Sequence, residues 1–185
     1  MIAKITGSNT WNCSYDYENR LKQITLNGVG VFQAKYDGDG RRIETIAGSN
    51  TTLYDYRAGS WDPIYLNNLN SGIVSDVVFA GIRIGRVQGG VNYYDHLDRL
   101  GSVRLVTQSN SIQPFTAKYL PYRASYGTSG SERFQYTGKE FDVSTGLYYY
   151  GYRYYDGQSG RFIAVDPVEP NSEQPQSQSL LLCSR

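Results

Sequence analysis

Residues Phe134 to Pro167 read FQYTGKEFDVSTGLYYYGYRYYDGQSGRFIAVDP and contain the densest run of tyrosines in the chain. Within them, Leu147 to Tyr155 holds six tyrosines in nine positions. Because tyrosine favours strands over helices, this run predicts one β-strand. Side chains alternate between the two faces of a strand, so one face is predicted to carry Tyr148, Tyr150, Tyr152 and Tyr154. The other face also carries aromatic residues, which predicts protein on both sides of the strand.

The residues on either side of this run predict shorter elements. Asp156 to Gly160 is a turn flanked by glycines, and Arg161 to Val165 returns to an extended pattern that Asp166-Pro167 ends. Upstream, Gly138 to Thr145 is the one stretch with room for a helical turn.

Composition and charge restrict the class of protein. With 185 residues, the chain is long enough for one domain with a substantial core. Its 18 basic and 17 acidic residues give a net charge of +1, so we expect neither a nucleic acid nor an anionic membrane as partner. Eighteen tyrosines and 20 glycines, against one methionine, are the mixture of strand formers and turn formers typical of an all-β protein.

Neither the cysteines nor the apolar runs indicate a disulfide-rich, redox or membrane protein. Cys13 and Cys183 stand near opposite ends, so there is no CxxC pair and no compact disulfide framework. No apolar run approaches the roughly 20 residues that a membrane-spanning helix needs. Met1 to Lys4 leads into polar sequence, unlike a signal peptide. We therefore expect a soluble chain without a membrane span, and the sequence leaves its export route open.

The dipeptide Tyr-Asp recurs along the chain. It occurs five times where about one occurrence is expected by chance. The five copies are Tyr15-Asp16, Tyr36-Asp37, Tyr54-Asp55, Tyr94-Asp95 and Tyr155-Asp156. Their spacings of 21, 18, 40 and 61 residues are close to multiples of about 20, which indicates a degenerate repeat of that length.

Three of these copies share a turn pattern. After Tyr-Asp come two variable residues, then Asn, Gly or Asp, then arginine. The fifth position holds Asn19, Gly40 or Asp98, the residue types that most readily adopt a left-handed backbone. Each unit is therefore predicted to be a β-hairpin whose outgoing strand ends in Tyr-Asp and whose return strand begins with arginine. The positions assigned to the repeat motif are Tyr15, Asp16, Arg20, Tyr36, Asp37, Gly40, Arg41, Tyr54, Asp55, Tyr94, Asp95, Arg99, Tyr155, Asp156, Gly160 and Arg161.

About a dozen strands alternate with turns rich in Gly, Asn, Asp and Ser. Outside the tyrosine run they are predicted at Leu21 to Leu26, Val29 to Tyr36, Arg42 to Ala47, Thr51 to Tyr56, Trp61 to Leu66, Ile73 to Phe79, Arg83 to Val87, Val91 to Tyr94, Val103 to Thr107 and Ile112 to Tyr122. The pattern predicts an all-β fold of repeated antiparallel hairpins in a curved or spiralling sheet. We expect hairpins over 1–130, the aromatic segment over 131–168 and a disordered polar tail over 169–185.

The hairpins, then NYYDHLDRLGSVRLVTQSNS from Asn92 to Ser111, then the aromatic segment, resemble the Rhs (rearrangement hot spot) or YD-repeat family. The second and third blocks are similar to the repeat-associated core of that family, and the resemblance covers Tyr15 to Gln176. The residues that carry the core resemblance are Gly101, Ser102, Arg104, Tyr136, Gly138, Lys139, Glu140, Asp142, Gly146, Tyr148, Tyr149, Tyr150, Arg153, Tyr154, Asp166 and Pro167.

The resemblance implies a long β-sheet that spirals into a hollow shell, which the core closes at one end, in secreted or cell-surface polypeptides. Relatives often carry a variable toxin domain after the core and enclose it. In many of them the core cleaves itself at a later Asp-Pro-x-Gly-Leu motif served by aspartates. Here Val168-Glu169-Pro170 follows Asp166-Pro167, so the chain departs from the family before that motif and resembles a truncated member.

No residue pattern predicts catalysis, a metal or a cofactor. His96 is the only histidine, and it lies in a repeat turn without evident metal ligands or a catalytic partner. The repeated aspartates are expected to accept backbone N–H bonds or to pair with the nearby arginines. Gly38-Asp39-Gly40 and Gly89-Gly90 are predicted turns that no helix follows, so phosphate binding is not indicated.

Three functions remain open from the sequence. The first is a structural segment of a YD-repeat shell that encloses or presents a toxin or other cargo, with the rest of the shell or the cargo as partner. The second is a cell-surface module that binds glycans through its tyrosines. The third is a self-cleaving aspartyl protease. A partial shell also exposes sheet edges, which predicts self-association.

Overall fold

The computed structural model describes residues 3–80, 82–122 and 125–165. Most of them form one open antiparallel sheet of 13 strands, in which each strand pairs with its neighbours in the sequence. Short turns connect the strands, as the alternation of strand formers and turn formers predicts. The strands are β1 Ala3–Thr6, β2 Asn9–Tyr15, β3 Leu21–Leu26, β4 Val29–Tyr36, β5 Arg42–Ala47, β6 Asn50–Tyr56, β7 Pro63–Asn68, β8 Ile73–Ala80, β9 Ile82–Gln88, β10 Val91–Leu97, β11 Val103–Gln108, β12 Phe115–Tyr119 and β13 Ser125–Gly130.

A smaller antiparallel sheet of four strands follows the large one. Its strands are β14 Glu140–Asp142, β15 Leu147–Tyr149, β16 Tyr154–Asp156 and β17 Arg161–Phe162. A 3-10 turn at Tyr136–Gly138 leads into it. The change from hairpins to the aromatic segment therefore falls between the two sheets.

The prediction of an all-β fold is confirmed, and β3, β4 and β5 have the predicted bounds. Several other strands differ from their predicted bounds at one end or both, and two begin later than predicted: β7 at Pro63 instead of Trp61, and β12 after Pro114 instead of at Ile112. Proline cannot donate a ladder hydrogen bond, so it stands at or before the first position of a strand. The edge strands β1 and β13 were not predicted.

The prediction of a single tyrosine strand is wrong, because the run folds into a hairpin. Strands β15 and β16 pair with Tyr149 opposite Tyr154 and with Tyr148 opposite Tyr155. Directly paired residues lie on the same face of a sheet. Tyr148 and Tyr154 therefore lie on opposite faces, not on one face as predicted.

Gly151 is the residue that breaks the run. Its φ of +81° lies in the left-handed region, which glycine adopts without the strain that a Cβ brings. The Tyr150 N–H donates to the Arg153 carbonyl oxygen at 2.8 Å and closes the turn. One glycine inside a strand-forming run was too weak a signal to outweigh the six tyrosines.

The helical turn predicted within Gly138 to Thr145 is misplaced. The 3-10 turn ends at Gly138, the first residue of that stretch, and Glu140–Asp142 is strand β14. The chain then reverses at Gly146, whose N–H donates to the Asp142 carbonyl oxygen at 2.8 Å.

Both faces of the small sheet pack against the inner face of the large sheet. One face joins β3 and β4 in a buried cluster of Leu21, Ile24, Phe32, Ala34, Leu147, Tyr149, Tyr154 and Ile163. On the other face, Tyr148 and Tyr155 pack with Tyr136 and with Tyr119 of β12. Because strands from both ends of the large sheet contact opposite faces of the small one, the large sheet curves around it. The edge-to-face pair of Phe32 and Tyr154, with ring centroids 6.0 Å apart, adds about 0.5 to 1.5 kcal/mol beyond the area it buries.

Three predictions lie outside the described residues. They are the end of the extended pattern at Asp166-Pro167, the polar tail at 169–185 and the position of Cys183.

Candidate functional site

The first two Tyr-Asp turns have one geometry. Asp16 Oδ1 accepts the backbone N–H groups of Glu18 and Arg20 at 3.0 and 2.8 Å, and its Oδ2 accepts from Arg20 Nε at 2.6 Å. Asp37 makes the same three bonds with residues 39 and 41. Asn19 and Gly40 supply the positive φ, at 59° and 85°. The aspartate therefore caps its own turn and orients the arginine.

The tyrosine before each turn fastens one hairpin to the previous one. Tyr36 Oη donates to the Leu21 carbonyl oxygen at 2.7 Å, and Tyr56 Oη donates to the Arg42 carbonyl oxygen at 2.7 Å. The arginine of the previous turn lies over the same ring, with Arg20 Cζ 5.0 Å from the centroid of Tyr36. Tyrosine, aspartate and arginine thus join neighbouring repeats along one rim of the sheet.

The other two internal copies of Tyr-Asp are not at turns. Tyr54 is buried inside β6 and Asp55 is exposed, because the third turn begins two residues later, after Tyr56. Tyr94-Asp95 likewise lies within β10. The predicted hairpin register is therefore wrong at these two copies.

Asp98 is the capping aspartate of the turn after β10. Its Oδ1 accepts the N–H groups of Leu100 and Ser102, both at 2.9 Å, and Gly101 supplies the positive φ of 81°. Arg99, predicted to begin the return strand, is an exposed turn residue. The dipeptide Tyr94-Asp95 therefore predicts the wrong position for this turn. The return strand β11 starts at Val103, so the turn begins at Asp98, three residues after Asp95.

Replacing Asp98 with alanine is expected to lower the free energy of unfolding by about 1 kcal/mol, because two turn N–H groups lose their acceptor. Arg99→Ala is the matched control and is expected to leave stability unchanged. Urea unfolding followed by circular dichroism measures both variants. If Arg99→Ala lowered the free energy of unfolding more than Asp98→Ala does, the result would support the hairpin register predicted from Tyr94-Asp95 instead.

The last Tyr-Asp copy forms a different turn. Asp156 pairs with Arg161 across β16 and β17, and the Gly160 N–H donates to the Asp156 carbonyl oxygen at 2.8 Å. The turn from Asp142 to Gly146 has the same spacing and the same closing bond. Asp156 also accepts a salt bridge from Lys4 Nζ at 2.7 Å, which ties the small sheet to β1.

A buried group of charges joins the two sheets, and we call it the Arg42 cluster. Arg42 Nη2 lies 2.5 Å from Glu140 Oε2, and Arg42 Nη1 lies 2.7 Å from Asp142 Oδ2. The side chain of Arg42 is 0% exposed, and those of Glu140 and Asp142 are 5% and 9% exposed. The cluster comprises Arg42, Tyr54, Arg133, Glu140, Asp142, Tyr149 and Tyr154.

The other members of the Arg42 cluster add hydrogen bonds to Glu140 and to the two Nη atoms of Arg42, while Arg42 Nε is buried without a hydrogen-bond partner among the described residues. Glu140 Oε1 accepts from Tyr54 Oη at 2.8 Å and from Arg133 Nη1 at 2.9 Å. Arg42 Nη1 also donates to Tyr154 Oη at 2.8 Å. Two guanidinium groups balance two carboxylates, so the cluster is neutral and its members bind one another.

Sequence reasoning missed Arg42, although a signal was present. Three return strands begin with a buried apolar residue, at Leu21, Pro63 and Val103. Arg42 holds this position in β5 and Arg83 holds the corresponding position in β9, so a charged residue at this inward position was the signal. The partners of Arg42 could not be predicted, since they lie 98 and 100 residues away in the chain.

Burial and neighbouring charges set opposite pKa shifts on the two carboxyl groups. Burial raises the pKa of Asp142 from 3.8 to about 6, although Arg42 acts in the other direction. Burial would also raise the pKa of Glu140, but Arg42 and Arg133 together hold it below its ordinary value. Asp142 is therefore the cluster member that takes up a proton first.

Stability is expected to rise by about 1 kcal/mol as the pH falls from 7 to 5. A raised folded pKa means that the folded chain binds the proton of Asp142 more tightly than the unfolded chain does. Below pH 5 the stability is expected to fall again. Glu140 and Asp156 have lowered pKa values in the folded chain, so their stabilising ion pairs are lost as the two carboxylates take up protons. Urea unfolding across this pH range measures the rise, which Asp142→Asn should remove. A rise that persists in Asp142→Asn would contradict this assignment.

A second buried charge group lies further along the inner face. Arg83 Nη1 is 2.8 Å from Asp95 Oδ2, and Arg83 Cζ lies 4.2 Å from the ring centroid of Phe134. Glu132 pairs with Arg86 and accepts the backbone N–H of Phe134 at 3.2 Å. Asp95 is therefore an interior partner of β9 instead of a turn residue.

The two core blocks of the sequence meet at Ser102. Its Oγ accepts the Thr137 N–H at 3.0 Å, and the Val103 N–H donates to the Gln135 carbonyl oxygen at 3.0 Å. A Cβ at Gly138 would lie 3.1 Å from the Gly101 carbonyl oxygen, so this approach requires glycine.

The two arginines of the core resemblance contact different sheets, Arg104 the large one and Arg153 the small one. Arg104 Nε donates to the Ala117 carbonyl oxygen at 2.9 Å, and Arg153 Cζ lies 3.8 Å from the ring centroid of Phe162. Tyr150 hydrogen-bonds the Thr137 hydroxyl, so it is held inside the sheet packing.

Among the described residues, no group of His, Cys, Asp and Glu side chains could hold a metal ion. His96 is exposed, and its Nε2 lies 3.0 Å from Thr107 Oγ1. The same part of the chain contains no helix long and apolar enough to cross a membrane.

No protein-family model matches the chain. It is 27% identical over 91% of its length to the tRNA3(Ser)-specific nuclease WapA of Bacillus spizizenii. It is also 27% identical to the toxin subunit YenC2 of Yersinia entomophaga, over 72% of its length. The fold is similar to a chain in the Tc holotoxin pore of Photorhabdus luminescens, with a TM-score of 0.71, 22% identity and 93% of this chain covered.

These relatives are much longer than this chain. The matched part is 8% of the nuclease, 16% of the toxin subunit and 9% of the holotoxin chain. The likeness therefore concerns one segment of each. Together with the Tyr-Asp hairpins and the aromatic segment, these relatives support the resemblance to the Rhs/YD-repeat family.

Proposed function

We propose that this chain is a structural segment of a YD-repeat shell that encloses or presents a C-terminal toxin or other cargo, and that it has no catalytic activity of its own. The observation that carries the proposal is the small sheet held inside the curve of the large one, with both of its faces buried. The partners are the rest of the shell and the cargo. The place of action is the cell surface or the exterior.

The buried charges support a structural use. A general acid or base needs access to a substrate, and in the Arg42 cluster both carboxylates are bound by arginine and closed off from solvent. One relative is named as a nuclease, but this chain matches only 8% of that protein. The nuclease activity of that relative can therefore belong to the unmatched remainder of its length.

Under this proposal the segment is part of a longer polypeptide that also carries the cargo, and limited proteolysis of that polypeptide tests enclosure. The cargo that follows the segment should resist the protease, and Arg42→Met should make it digestible by releasing the small sheet. Arg41→Met, at the neighbouring rim position, should leave the protection unchanged. Equal digestion of the cargo in wild type and Arg42→Met would contradict enclosure.

Intact mass spectrometry tests the absence of self-cleavage. The purified chain should give one uncleaved species after prolonged incubation at pH 5 and pH 7. A discrete cut that Asp142→Asn abolishes would establish a protease activity and overturn that part of the proposal.

A further inference from the structure

An aromatic cleft borders the Arg42 cluster, with which it shares Glu140 and Tyr149. It is formed where the turn between β6 and β7 meets the turn between β15 and β16, and it encloses about 270 Å³. Ligand sites of this kind combine aromatic walls with a few polar groups. Its lining includes Tyr56, Trp61, Asp62, Lys139, Tyr150 and Tyr152.

Two aromatic side chains in this cleft remain open to solvent. Trp61 is 38% exposed and Tyr152 is 46% exposed, with their ring centroids 4.5 Å apart. Glycine holds the two backbone positions behind them: a Cβ at Gly151 would lie 3.3 Å from Trp61, and one at Gly40 would lie 3.6 Å from Tyr152. The rings are therefore supported from behind by backbone and present a fixed apolar surface.

The charges in the cleft balance each other. Lys139 Nζ lies 3.9 Å from Asp62 Oδ1 and 5.9 Å from the ring centroid of Tyr150. A cationic ligand would compete with this ammonium group, and an anionic ligand would meet the carboxylate of Asp62. An uncharged ligand with several hydroxyl groups can donate to Asp62 and accept from Lys139.

We propose that this cleft binds an uncharged sugar ring, one hexose unit of a glycan, against Trp61 and Tyr152, with Asp62 and Lys139 bonding its hydroxyls. A volume near the lower end for ligand pockets fits one ring better than a long oligosaccharide. This assignment uses Tyr152 of the tyrosine run but no extended platform, because Tyr148, Tyr149 and Tyr154 are buried. It does not depend on the shell function.

Tryptophan fluorescence tests the proposal. The chain has two tryptophans, so Trp11→Phe leaves Trp61 as the reporter. Methyl glucoside, methyl galactoside and N-acetylglucosamine are titrated separately. At least one should give a saturable change with a dissociation constant in the millimolar range, as a single small ring allows.

Variants locate the binding. Tyr152→Ala is expected to weaken it about tenfold by removing one wall. Asp62→Asn should also weaken it, and because this side chain is 56% exposed the change keeps the packing intact. Tyr126→Ala, at a tyrosine that is 63% exposed on β13, is the matched control and should bind as the parent does. Thermal unfolding followed by circular dichroism checks that each variant is folded.

Three results would overturn the proposal. They are no saturable change with any of the three sugars, undiminished binding in folded Asp62→Asn and Tyr152→Ala, or tighter binding of tetramethylammonium than of every sugar. The last result would mark the cleft as a cation site.

Discussion

Replacing Arg42 with methionine is expected to lower the free energy of unfolding by about 3 to 5 kcal/mol. Arg42 is fully buried and holds Glu140 and Asp142, so its loss leaves two carboxylates in the interior without their shared partner. Methionine fills part of the same space without a charge. Glu140 keeps its pair with Arg133, so the effect should come mainly from Asp142, which loses its salt bridge to Arg42. Urea unfolding followed by circular dichroism measures the effect.

Arg41→Met is the matched control for this prediction. The adjacent arginine lies on the rim and pairs with Asp37 and Asp39 in contact with solvent. Exposed ion pairs contribute little to stability, so the unfolding midpoint should change far less. Equal midpoints for Arg42→Met and wild type would show that the buried cluster does not hold the sheets together.

Tyr154→Ala is expected to be as damaging, at about 3 to 5 kcal/mol, because it leaves a large cavity between the two sheets. The Tyr154 ring packs on Phe32 and Tyr149, and its side chain is 2% exposed. Tyr154→Phe keeps the ring and loses the hydroxyl that Arg42 bonds, so it should cost about 1 to 3 kcal/mol. Thermal and urea unfolding of both variants give the two values.

Tyr126→Ala supplies the comparison at an exposed tyrosine. Its ring lies on the edge strand β13 and should contribute little. If Tyr154→Ala destabilised the chain no more than Tyr126→Ala, the small sheet would not pack against the large sheet through Tyr154 as described.

Much of the fold could be predicted because turn residues mark the strand ends. Asn27-Gly28 and Gly48 delimit strands whose bounds match the structure, and the all-β class follows from them. The tyrosine run was misread because local preference dominates such a prediction, while Gly151 reverses the chain. Pairing across the resulting hairpin then set which tyrosines share a face.

Little of the candidate site could be predicted. The aspartates that cap turns have local partners, so their bonding at Asp16 and Asp37 follows from nearby sequence. Asp95 shows the limit of that reasoning, because its partner is Arg83 on the neighbouring strand. The Arg42 cluster forms only when the small sheet enters the curve of the large one, and no local pattern encodes that contact.

A double-mutant cycle between Arg42 and Glu140 tests the central claim most directly, since these residues lie on different sheets and 98 positions apart. Unfolding free energies are measured for wild type, Arg42→Met, Glu140→Gln and the double variant. If the small sheet is fixed inside the large one by this pair, the two losses should be non-additive by about 2 kcal/mol. Losses that add to within about 0.5 kcal/mol would contradict the account.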